Sequence, residues 1–79
     1  MDTKKKIKKT IDYYLNLPWT YTIETTHENG KLLYIVYVNE LPGICTDAPT
    51  LDEAMNLIKE AIAAAIQLYI ENNEEVPEP

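Results

Sequence analysis

Four carboxylates, Glu40, Asp47, Asp52 and Glu53, are the residues of this 79-residue chain whose type and proximity most suggest chemistry. Clustered acids can hold two divalent ions and clamp a phosphodiester for hydrolysis. A structural reading competes with that one. Asp52 and Glu53 follow Thr50 into the first turn of a helix, where carboxylates complement the dipole and close the cap. His27 sits beside an Asn29-Gly30 turn with Glu28 adjacent, and lacks the second ligand or nucleophile that metal or triad chemistry needs. An ordinary turn histidine is expected. Lys4, Lys5, Lys6, Lys8 and Lys9 offer salt-sensitive phosphate contacts without base readout, but read more simply as a solvated helix face. Tyr13, Tyr14, Trp19, Tyr21, Tyr34, Tyr37 and Tyr69 could stack bases; without arginine and at strand spacing, they read as core or oligomer contacts. Cys45 reads as a small buried hydrophobe. No catalytic residue, metal or cofactor is expected.

The elements that position these residues follow from local rules. Ile7, Ile11, Tyr14 and Leu15 keep to one face of an amphipathic helix within residues 1–17, stopped by Pro18. Tyr21 to Glu28 is threonine-rich and partly alternating, a first strand. Asn29-Gly30 turns the chain into Leu32 to Val38, its antiparallel partner. Pro42 fixes its own φ and pushes Leu41 away from helical geometry, and Gly43 can take positive φ, so the chain must turn there. Residues 43–48 supply a third strand. Pro49 and the Thr50/Glu53 capping box start a long helix over residues 50–71.

Leu51, Ala54, Met55, Ile58, Ala61, Ile62, Ala65, Leu68 and Tyr69 form one stripe on that helix, enough to cover a three-stranded sheet. Leu57, Ile66 and Ile70 fall outside it and are expected to form an oligomer interface. Residues 72–79 read as a tail or edge strand, with Asn72-Asn73 ending the helix because asparagine tolerates a left-handed cap next best after glycine.

Composition bounds the function. The length leaves room for one domain, and a single cysteine gives no disulfide framework, as expected of a cytoplasmic protein. No apolar run reaches the roughly 18 residues of a membrane span. Residues 1–39 carry +2 and residues 40–79 carry −8, giving the formal −6. The chain has no arginine, so the bidentate contacts common in nucleic-acid readers have no donor. An acidic half points instead to a basic partner.

Tyr14-Leu15-Asn16-Leu17-Pro18, Glu40-Leu41-Pro42-Gly43 followed by Thr46 and Thr50, Leu51-Asp52-Glu53-Ala54, and the closing Val76-Pro77-Glu78-Pro79 together resemble the HicB antitoxin family, from about Tyr13 onward. The resemblance implies an α+β, partial ribonuclease-H-like fold in which a long helix packs on a three-stranded antiparallel sheet. It implies assembly as a dimer or tetramer and binding of a small basic HicA-like toxin that cleaves messenger RNA. Many family members add a C-terminal DNA-binding segment; none follows here, so no direct DNA binding is expected. The family's Gly-Gly-Tyr hairpin is replaced by Asn29-Gly30-Lys31-Leu32-Leu33-Tyr34, implying a longer hairpin. Its cysteine after Leu-Pro-Gly corresponds to Ile44, so Cys45, one place on, faces the other side of the strand. By charge, Glu60, Glu71, Glu74 and Glu75 are the expected toxin contacts. The remaining readings are a solitary oligomeric module with a regulatory role, and a metal-dependent nuclease remnant.

Overall fold

The computed structural model describes residues 10–79, so the lysine cluster and Ile7 of the expected N-terminal helix lie outside the described residues. Within the described residues the helix is shorter than expected: α1 spans Ile11–Leu15 and starts at its cap Thr10, whose backbone is extended (φ −92°, ψ 176°) and whose Oγ1 accepts from the Tyr13 amide at 3.4 Å. Strands β1 (Tyr21–Glu28), β2 (Lys31–Val38) and β3 (Cys45–Ala48) form an antiparallel sheet in the order β1-β2-β3, and helix α2 (Leu51–Glu71) follows.

Turn chemistry sets this order. Asn29 and Gly30 take φ of 53° and 77°, the two positive values of a type I′ turn, and Glu28 pairs with Lys31 directly across it. At the second turn Gly43 has φ 91° behind Pro42, and the Ile44 amide donates to the Leu41 carbonyl at 3.1 Å, as in a type II turn. Thr50 caps α2 as the sequence requires: the Glu53 amide donates to its Oγ1 at 3.2 Å. At the other end Asn73 has φ 57°, and the Asn73 and Glu74 amides donate to the Ile70 and Tyr69 carbonyls at 3.1 and 2.8 Å. This paired arrangement is a Schellman cap, and it turns the tail back toward the body.

The core lies between the sheet and α2. Val36 and Val38 of β2, Ala48 of β3, Leu41 of the turn, and Ala54, Ile58, Ile62 and Ile66 of α2 are all buried. Tyr14 and Trp19 extend it beyond the sheet, and the Trp19 Nε1–H is satisfied by the Tyr14 carbonyl at 2.8 Å. Val76 completes the core, so residues 72–79 form a docked tail and pair with no strand.

Three expectations need correction. Ile66 is fully buried in the chain's own core and offers nothing to a partner, while Leu68 and Leu51, expected in the core, are 60 % and 37 % exposed. The buried line runs 54, 58, 62, 66, and steps of four drift around an ideal helix by roughly 40° each. A stripe fitted to one flat sheet misses that drift, because α2 packs on β2 and β3 and also on α1. Cys45 is exposed, because it pairs with Tyr37 on the sheet face turned away from α2.

Candidate protein-interaction surface

The carboxylates that suggested a metal site do not converge. Glu40 is held by Thr20, whose amide donates to Oε1 at 3.0 Å and whose hydroxyl donates to Oε2 at 2.6 Å. Those bonds favour the charged form and hold the Glu40 carboxyl below the usual carboxylate range. Asn39 joins the same cluster, donating through Nδ2 to Thr20 Oγ1 and accepting from the Thr22 hydroxyl. Glu53 belongs to the α2 cap, accepting from the Thr50 hydroxyl at 3.0 Å. Asp47 lies on the outer sheet face opposite Ile35. Among the described residues no three of His, Cys, Asp and Glu are placed to hold a metal ion. His27 is exposed beside the hairpin turn.

On the outer face of the sheet, Glu24 accepts from the Tyr37 hydroxyl at 3.3 Å. The Glu24 charge opposes a neighbouring phenolate and pushes the Tyr37 hydroxyl above its usual value, helped by partial desolvation. Tyr21 is also raised, by burial first and then by Glu40.

The surface with the clearest organisation is one flank of α2. Leu57, Ala61, Ala64 and Leu68 recur at i, i+4, i+7 and i+11, which places them on one ridge. Leu57 and Leu68, at its two ends, are 42 % and 60 % exposed. Glu53, Glu60 and Glu71 run alongside, with Gln67 donating to Glu71 Oε2 at 3.1 Å. A shallow depression at each end ties the ridge to the β3 side of the fold. One is lined by Asp47, Ala48, Pro49, Glu53, Asn56 and Leu57, the other by Ile44, Ala65, Leu68, Tyr69, Asn72 and Glu74. The result is an apolar strip with acidic borders.

The structure thus divides the residues singled out from the sequence. Leu57, Glu60, Glu71 and Glu74 belong to this flank, and Glu75 lies beyond it, beside Tyr14 and Val76. Ile70 is exposed but sits roughly 140° around the helix from Leu57, so the two share no surface. Leu68 is the residue that sequence reasoning missed. Its signal was the i, i+4, i+7, i+11 repeat, masked by a second apolar line beside it.

Comparison with known proteins adds a separate finding. Residues 20–79 match a family model described as a HicB-like antitoxin of bacterial toxin-antitoxin systems. The chain is 31 % identical over 64 residues to a protein named Antitoxin HicB 1 from Photorhabdus laumondii, an alignment that covers 81 % of this chain and 39 % of that relative. It is 44 % identical over 57 residues to a UPF0150 protein of Thermoplasma acidophilum, covering 72 % of this chain and 81 % of that relative. No solved structure matches.

Proposed function

The chain belongs to the HicB-like antitoxin family, and from that membership we propose that it neutralises a small, basic, HicA-type toxin that cleaves messenger RNA, by covering the toxin's active site. The observation that carries this reading beyond the family is the acid-bordered apolar ridge of α2. Leu57 and Leu68 supply apolar area that the chain itself does not bury, and Glu60, Glu71 and Glu74 surround it with charge opposite to that of a basic protein. Complementary charge steers the encounter and fixes the register, while the apolar strip supplies the contact that persists after docking. Glu75 extends the acidic rim toward the tail. The antiparallel sheet with α2 laid over β2 and β3 supports reading the fold as part of a ribonuclease-H-like architecture that acts by occlusion.

The test is co-expression with a HicA-type toxin. The expected result is a complex that restores growth and that weakens as salt rises from low to physiological concentration. A Glu60→Lys/Glu71→Lys variant is expected to bind about tenfold more weakly or worse, chiefly through slower association. The reading fails if no complex forms, or if neither salt nor charge reversal changes its affinity.

A further inference from the structure

We infer that the depression at the C-terminal end of α2 is the anchor pocket for one lysine or arginine side chain of the toxin, and that this anchor fixes which way round the toxin lies on the ridge. The inference rests on the toxin reading above.

The two depressions that end the ridge are alike in lining but not in field. Each joins apolar surface to carboxylate: Ala48, Pro49 and Leu57 with Asp47 and Glu53 at one end, Ile44, Ala65 and Leu68 with Glu74 at the other. The first lies at the start of α2. Backbone amides there carry partial positive charge, and Glu53 is already committed to the cap through the Thr50 hydroxyl. A cation entering that end meets an opposing dipole. The second lies at the finish of the 21-residue helix, where the dipole is negative and adds to Glu71 and Glu74.

This end is charged against local preference. Helices favour lysine or arginine in the last turn, and carboxylates near it oppose the dipole. The last turn of α2 holds no basic residue, Glu71 stands in it, and Glu74 and Glu75 follow the cap. Local rules broken in this way are characteristic of functional sites. A cation supplied by a partner relieves the conflict.

The shape suits the same ligand. Ile44, Ala65 and Tyr69 are half-buried and make the floor, while Leu68, Asn72 and Glu74 are exposed around the mouth. A long basic side chain can lay its methylenes along such a floor and keep its charged head at the rim. The Schellman cap holds that rim in place. Its Glu74 amide donates to the Tyr69 carbonyl at 2.8 Å, so the Glu74 carboxylate is carried by backbone fixed to the turn that contains Leu68 and Tyr69. An acceptor positioned in advance costs little further ordering when the ligand arrives.

The test compares toxin binding by the full chain with binding by two variants that each remove one negative charge. Glu74→Gln is expected to raise the dissociation rate about tenfold, as loss of an anchored charge pair does. Glu28→Gln, beside the hairpin turn, is expected to change the association rate alone, by less than about twofold. The cap is made by the Glu74 amide and not by its carboxylate, so Glu74→Gln is expected to keep the parent circular dichroism spectrum. Replacing the toxin's basic residues by alanine in turn should find one position that weakens the parent complex about tenfold and leaves the Glu74→Gln complex unchanged. Dissociation of Glu74→Gln at the parent rate, from a complex that still forms, would overturn the anchor and leave the toxin reading standing; no complex at all would overturn both. Coupling of the toxin's cation to Asp47 in place of Glu74 would reverse the docking direction, and self-association abolished by Glu74→Gln with toxin binding unchanged would give the pocket to a second copy. Either result also overturns the proposal.

Discussion

Glu40 illustrates at the scale of one side chain how an acidic residue that invites a catalytic reading can be a structural tie. Its two oxygens fasten the loop after β2 to Thr20 at the mouth of β1. Hydrogen bonds to the ionised form lower its folded-state titration below that of an unfolded carboxylate. Stability from such a group is fully present above the unfolded value and is lost as pH falls through the folded one. The gap in urea midpoint between the parent chain and Glu40→Gln is therefore expected at neutral pH and should close under acid. A gap that stays constant below the carboxylate range would show that packing and not ionisation is responsible. The carboxylate's role could not be read from sequence, since Thr20 is distant along the chain and meets Glu40 only when β1 and β2 pair.

At the scale of the element, α2 is where local reasoning succeeds and then slips. Its limits, Leu51–Glu71, follow from the Thr50 cap and from the Asn72-Asn73 exit, both short-range features. Which of its apolar residues are buried does not follow so simply. Helical spacing admits two neighbouring apolar lines, and packing chose 54, 58, 62 and 66 over the line through Leu57 and Leu68. The choice has a measurable consequence. Ile66→Ala should cost about 2–5 kcal/mol in urea unfolding, whereas Leu68→Ala should stay within roughly 0.5 kcal/mol of the parent chain. Equal losses at the two positions would contradict that pattern of burial.

At the scale of the whole molecule, segments from the two ends of the described chain meet in one place. Tyr14 from α1, Trp19 before β1 and Val76 from the tail are all buried in a single core. The tail reaches it because the Schellman cap reverses the chain at Asn73. Val76→Ala should therefore cost about 1–2 kcal/mol, the scale of two buried methylenes. Trp19, the one tryptophan, reports the change by fluorescence during urea unfolding. If the tail were a loose end, the substitution would leave both the midpoint and the emission unchanged. The same arrangement leaves the α2 ridge, with its acidic border, exposed on the β3 side of the fold.

Order along the chain was settled by the sequence, because turns and caps are made by neighbouring residues: Asn29-Gly30, Pro42-Gly43 and Thr50 with Glu53 each act over a few positions. The same local rules, through side-chain alternation, placed Cys45 on the face opposite Ile44. Exposure was decided by tertiary structure, because it depends on what lies across from a residue. α2 covers two strands of three, which leaves Ile23 and Leu32 open, and its contact with α1 and the returning tail at Val76 falls outside any window of local spacing.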